Sequence, residues 1–552
     1  MPAYTGMAPA YAPPGAGPWT TTHVPVPQDG QHRLHFAIFH DGNPGHLWRG
    51  ELGSMLGDAV LSVGVIMWLV RLTYSPTDVA LALVALGLPA LLAGPLGATL
   101  TRVDEPARPF KLIGRLRIVF AAALIAMHFL TILPVLYMLL FGVALLGRLR
   151  ASLRVAAMRA CLAPGEPEHL AASMHFAAVV VAVIGPLVAS LLYILNGERI
   201  LLVSIGAAVF FLLGSSSDAL VDALPAEQRA FLLAEPEPEL ADDEDLDPQD
   251  EDATSDDPEL ALERREAALP EWQQWGPGRI GEAVADISDG LRLIGSNAGS
   301  LGAIRALATL ALMGGGVALL EVFYITDHFF LPTFYLGALL AAEGAGIAVG
   351  ATLWSDLGRG QSGTVAWVGG MLATGALLIG LSLVGTIMVA LFVAVGLGVA
   401  NALAVEGARQ ALRAGFDGVE RRALAAAETM IAAVCGIAGV GIFLLMHLGY
   451  SIGHSTGRRG AGRLTILYPF SVTQLFLAAG LGLIVAGIVF GFLRQFGGTL
   501  DRQRARRRAA AAARREDRMR LPSLDEEDEV DESGYYPAAG SEWEEDEDAA
   551  DD

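Results

Sequence analysis

Four carboxylates stand inside runs of apolar residues long enough to cross a bilayer: Asp58, Glu321, Glu343 and Glu406. An acid at membrane depth costs roughly 2.5–3.5 kcal/mol on insertion scales, so each is expected to face a protein interior or a watery cavity. A buried carboxylate whose surroundings alternate can take up and release a proton, which is the chemistry this pattern offers. Glu51 precedes Asp58 by seven residues, two helical turns, so both lie on roughly one face. At the entrance of its run, Glu51 reads as a hydrated interfacial acid. Glu406 is three residues from Arg409 on one helix face and reads as half of an ion pair.

The bases that could answer these acids cluster in "GRLRASLRVAAMR". Arg148 falls near mid-depth and shares a face with Arg159, while Arg150 and Arg154 form an i, i+4 pair on another face. Arginines this deep need carboxylates, lipid phosphates or an anionic substrate. Arg154 and Arg159, nearer the end of the run, are expected to snorkel to the surface. In "VVAVIGPLVASLL", Pro186 after Gly185 removes an intrahelical hydrogen bond and could bend the helix. Other chemistries find little support. The chain has a single lysine, Lys111, and no phosphate-cradling glycine loop, which argues against ATP-driven transport. His128, His175 and His447 are scattered, Cys161 and Cys435 have no metal-like spacing, and no nucleophile elbow occurs. No cofactor, no metal and no enzymatic activity are expected, and nucleic acid is not an expected partner.

The elements that must position these residues are helices. Of 552 residues 53% are hydrophobic, and twelve apolar runs of helical length recur, at about 52–74, 78–101, 112–132, 134–160, 170–195, 199–222, 303–327, 334–356, 364–384, 386–410, 424–449 and 468–494. The net charge of −22 is concentrated in two segments: residues 235–271 hold 17 acids and two arginines, and residues 521–552 hold 15 acids and no base. Neither has the apolar content to fold alone. The expected organisation is a disordered arm over 1–46, a six-helix bundle over 47–226, an acidic linker over 227–276, a second bundle with a preceding amphipathic helix over 277–495, and an Arg-rich helix with an acidic tail over 496–552. Basic residues follow the second, fourth and tenth runs, and ten arginines lie between Arg494 and Arg520. The positive-inside rule then makes both termini and the linker cytoplasmic, in a multi-pass protein of the cell membrane. Arg458, Arg459 and Arg463 are the exception. The Arg-rich segment could also meet anionic lipid.

The halves resemble each other. "GATL" recurs at 97–100 and 350–353, "VAAMRACL" (155–162) parallels "VEGARQAL" (405–412), and "HLAASM" (169–174) parallels "ALAAAET" (423–429). Three matches in order at nearly constant offset argue for duplicated six-helix halves.

With "LWRGELGSMLGDAV", "LALVALGLPALLAGPLGATLTRVD", "ISDGLRLIGSNAGSLGAIRAL" and "GATLWSDLGRG", the chain resembles the major facilitator superfamily, specifically the bacterial efflux-type branch that includes siderophore and macrolide exporters. The resemblance covers roughly 46–226 and 277–495. It implies an all-α membrane protein of twelve transmembrane helices in two pseudo-symmetric six-helix bundles. It also implies a cytoplasmic gate in the loops after the second and eighth spans. The second-half loop keeps Asp356, Gly358 and Arg359, whereas the first-half loop has Thr101 at the acidic position, followed by Arg102, with Pro106 and Pro109 where bases cluster in the family. Glu406 and Arg409 join these as gate candidates. Gly185 and Pro186 resemble the family's antiporter motif but lack its flanking glycines, and an ordinary packing kink reads equally well. Asp58 stands where the family carries an acid, and since spans one and four are neighbours in this fold, Arg148 is its expected partner. Asp58, Glu321, Glu343 and Arg148 are therefore the candidates for coupling protons to a small-molecule substrate.

The function expected is a secondary active transporter in the lipid bilayer, exporting a small amphipathic molecule by proton antiport with alternating access. The rival is a transport-inactive relative that serves as an interaction or regulatory platform, which Thr101 and the long linker favour. Retained Asp58, Asp356 and Arg359 favour transport.

Overall fold

A computed structural model describes residues 42–100, 106–162, 166–221, 277–296, 298–357, 363–414, 416, 418–458 and 470–493. Arg102, Gly358 and Arg359, residues 1–41 of the arm, the linker and the Arg-rich tail lie outside these residues, as do the side chains of Arg159, His175 and Asp356; the last residues of the expected arm, Asn43–His46, are instead the first turn of a helix, with Pro44 at its start.

Among the described residues, twelve helices are long and apolar enough to cross a membrane. Span one is Asn43–Thr73, and span two is built from Pro76–Gly87 and Pro89–Leu100. Spans three to six are Ala107–Leu130, Leu133–Cys161, Glu166–Leu195 and Leu201–Ala219. An amphipathic helix, Pro277–Ser296, precedes span seven, Ala298–Phe323, which continues through one π-helical turn, Tyr324–His328. Spans eight to eleven are Tyr335–Leu357, Gly363–Leu383, Ile387–Arg413 and Gly418–Arg458, and span twelve is Val472–Leu493. The twelve spans pack on one another in an all-helical bundle.

Local signals set several boundaries. Span one ends where Tyr74 turns left-handed, with φ 49°. Ser75 then caps span two by accepting from the Asp78 amide, with Pro76 in the first turn, where its missing N–H is no loss. Leu88 precedes Pro89, whose ring disfavours continued helix, and there span two divides.

Spans one and seven are the most enclosed, 83% and 72% buried over their apolar windows. Each is the pivot of its half: span one packs on spans five and six, span seven on spans ten and eleven. Lipid offers no hydrophobic drive for helices to associate, so close backbone approach through small residues must do it. Gly53 and Gly214 make this approach between spans one and six: a Cβ on Gly53 would lie 2.8 Å from the Phe210 carbonyl and 2.9 Å from the Gly214 nitrogen.

Across the halves, span eight packs on span five, and span eleven and the amphipathic helix pack on span two. At the face away from the start of span one, Tyr74 donates to Asp327 (2.9 Å) and Ser190 donates to the Phe334 carbonyl (2.9 Å). These bonds tie spans one and five to the far ends of spans seven and eight.

Candidate functional site

Three groups of buried polar side chains stand out. The first is a charge network in the first half. Arg117 of span three pairs with Asp58 and donates to Ser54, both of span one, and its guanidinium lies over the Phe211 ring of span six at 4.2 Å. Arg150 of span four is held by Asp218 of span six through two bonds, 2.6 and 3.1 Å, and by Glu51 at 3.2 Å. It also stacks on Phe110 at 4.0 Å, and Arg154 pairs with the other Glu51 oxygen. Every one of these charged side chains is at most 2% exposed. Acids and bases here come from four helices, so each pair is a strut between spans. The two-pronged guanidinium matches a carboxylate better than any other cation could.

Several expectations change here. The base on Asp58 is Arg117, in place of the expected Arg148. Gly147, the residue before Arg148, is the one that abuts the pair: a Cβ there would lie 3.4 Å from Arg117 Nη2 and from Asp58 Oδ2. The next residue is rotated about 100° away, and Arg148 is buried at another azimuth. Arg154 does not snorkel, because Glu51 provides an acceptor at its own depth. Glu51 for the same reason is a buried ion-pair partner and not a hydrated interfacial acid. Arg117 looked like one of a row of topology-setting bases, and Asp218 closes an apolar run at "GSSSDA"; neither stood out, since the partner that gives each its meaning is distant in sequence.

The second group lies in the second half. Arg409 binds Glu406 at 3.3 Å, as the spacing suggested, and Glu428 of span eleven at 2.6 Å, while Arg413 reaches Glu428 at 3.4 Å. Glu428 is the partner that sequence reading missed. Both charge groups sit toward the end of the bundle where span one begins.

The third group surrounds a cavity of about 30 Å³, room for roughly two waters. Glu321 of span seven, Glu343 of span eight, Thr374 of span nine and Asn401 of span ten line it, with Leu310, Leu397 and other apolar side chains closing the rest. The four polar residues are 2%, 6%, 5% and 5% exposed. Glu321 and Glu343 thus line one cavity from two different helices. The structure brings these two together and leaves Asp58 in a separate, base-rich group.

Gly185 and Pro186 sit where the halves meet. Gly185 abuts Ala59 of span one. Pro186 has no N–H to offer the Ala182 carbonyl one turn earlier, and that carbonyl points at Gly344 of span eight, where a Cβ would collide with it. Two turns away, Gly337 meets the Pro186 carbonyl and Ser190 in the same manner. The Gly-Pro pair is therefore part of the seam between spans five and eight.

The fold is similar to solved POT-family peptide transporters. One described as auto-inhibited matches at 12% identity over 82% of this chain and 96% of its own, with a TM-score of 0.57. A second, the subject of an in meso crystal structure, matches at 12% identity over 82% and 97%, TM-score 0.57. A third peptide transporter matches at 13% identity over 83% and 95%, TM-score 0.55. At such identity the likeness is one of fold. No family model matches the chain, and no curated protein matches it.

Proposed function

We propose that this chain is a secondary active transporter of the cell membrane, in which the two halves rock about a central substrate path and protons drive export of a small amphipathic molecule. The observation that carries the reading is that Glu321 and Glu343 are buried at one small cavity, on spans seven and eight, and that span eight also forms the seam with the first half. Span eight contributes Glu343 to the pair and Gly344 to the seam, adjacent residues on one helix. A change in the charge of the pair is thereby felt one residue from the contact that must open and close. The buried ion pairs of the first half keep spans one, three, four and six together as one rigid body during that motion, and Arg409 with Glu406 and Glu428 does the same for spans ten and eleven.

Export and amphipathic cargo rest on the sequence resemblance; the fold neighbours, being peptide transporters by name, add short peptides to the substrates to be tried. The excess of arginine on one side supports cytoplasmic termini and linker. The test is purified protein in vesicles with an imposed pH gradient, offered a panel of amphipathic compounds and di- and tripeptides. Gradient-driven movement of one compound class, lost in Glu343→Gln, supports the proposal. Absence of any movement across the panel, in protein that remains folded, favours the transport-inactive platform.

A further inference from the structure

We propose that the lipid-facing side of span three is a binding site for an anionic phospholipid, with its headgroup phosphate held by Arg115 and Arg108 and an acyl chain lying along Leu112, Leu116 and Val119. The inference requires only that the protein is embedded in a bilayer, so it is independent of the transport reading.

Span three packs on spans four and six, and the side it turns away from them is a single stripe. Arg108, Leu112, Arg115, Leu116 and Val119 are all exposed, and successive residues turn by about 100°, which brings these five within an arc of about 100°. The three apolar members are 55%, 38% and 63% exposed, which in a membrane-spanning helix means contact with acyl chains. Arg115 stands in the middle of this stripe. At about 1.5 Å per residue, it lies about 22 Å from Leu130 at the far end of the span, against a hydrocarbon core about 30 Å thick, so its Cα is inside the core. A base at that depth needs an acid.

Two residues on, and on the opposite side of the helix, the protein supplies one: Arg117 is paired with Asp58. Arg115 has no hydrogen-bond or ion-pair partner among the described residues, so its acid has to come from the lipid. Side chains on a helix lean toward its N-terminus, which for span three is the end that carries Arg108. The Arg115 guanidinium therefore reaches toward the level of Arg108, two turns earlier on the same side, and one phosphate can lie against both. Lys111 is turned elsewhere, donating to the Val221 carbonyl at 2.5 Å. Water could solvate Arg115 only by drawing a defect along Leu112 and Leu116, whereas a phosphate arrives with an acyl chain that covers them. A zwitterionic headgroup would bring its ammonium against two guanidiniums, so a net negative headgroup fits better. The fold itself does not call for bases here: span nine, third in its half as span three is, has no charged residue over Gly363–Leu383.

The experiment uses the full-length protein with Cys161 and Cys435 replaced by alanine and a fluorophore on Val119→Cys. It is placed in phosphatidylcholine vesicles into which brominated phosphatidylglycerol or brominated phosphatidylcholine is titrated, because bromine quenches a fluorophore it touches. At low ionic strength the relative affinity for phosphatidylglycerol should be about 25-fold, from about fivefold for each base, and salt should reduce it. Arg115→Gln should lower the ratio to about fivefold, and Arg115→Lys should keep most of it. The same label at Val365→Cys, exposed on span nine, should show no preference. Equal quenching by the two lipids at position 119, or a preference unchanged in Arg115→Gln, would overturn the site and leave Arg115 to water. Loss of the preference on adding soluble glycerol phosphate would also overturn it, since the site would then take a free phosphate ester.

Discussion

Asp58→Leu exposes the energetics of the first-half network most cleanly. It leaves the Arg117 guanidinium 1% exposed, with the Ser54 hydroxyl and the Phe211 ring at 4.2 Å as its immediate neighbours. Breaking a buried pair from one side costs about 3–5 kcal/mol, because the remaining charge stays desolvated. The ring recovers at most about 2 kcal/mol of that, and it was already present before the change. Arg117→Met strands Asp58 in the same way. The double variant removes both charges and leaves Arg150 and Arg154 balanced by Glu51 and Asp218; replacing a buried pair by apolar groups of similar volume is about neutral. The expected coupling energy is therefore at least about 3 kcal/mol, several times the roughly 0.6 kcal/mol average of hydrogen bonds between membrane helices. The assay is reversible unfolding of the purified protein in mixed micelles, run on both singles and the double. Singles that cost less than about 1 kcal/mol and simply add in the double would refute the reasoning and mark the pair as solvated.

Gly344→Leu should keep spans five and eight apart, since a Cβ already meets the Ala182 carbonyl; a cysteine placed at exposed Leu187 should then label faster, and an unchanged rate would contradict the seam. Glu428→Gln removes the charge that faces both Arg409 and Arg413 and should destabilise by about 3 kcal/mol, against less than about 1 kcal/mol if the group is wet; thermal melting decides. At the far end, the 15 acids of 521–552 should shield the ten arginines of 494–520. A 494–552 peptide should bind anionic liposomes more weakly than a 494–520 peptide at low ionic strength, and equal affinities would rule the shielding out.

How much of this was legible in the sequence follows from the range of each signal. Span number and the amphipathic helix are local patterns of length and period, and they read directly. So does the Glu406–Arg409 pair, one turn apart on one helix. Asp58 advertised its own cost, but its partner did not: Arg117 lies 59 residues away on a helix whose bases all looked alike. Depth misled in the same place, since Arg154 reads as a snorkelling end residue until Glu51 is known to share its level. Thr374 and Asn401 gave no signal, because a lone hydroxyl and a lone amide are unremarkable until four helices bring them to Glu321 and Glu343.

The central claim is that Glu343 couples proton movement to substrate movement. It is tested most directly in vesicles that hold a pH-sensitive dye and purified protein, to which a transported compound is added. Wild type should move protons opposite to the compound. Glu343→Gln should still exchange labelled for unlabelled compound across the membrane yet move no protons. Proton movement by Glu343→Gln at the wild-type rate, with compound transport intact, would contradict the account.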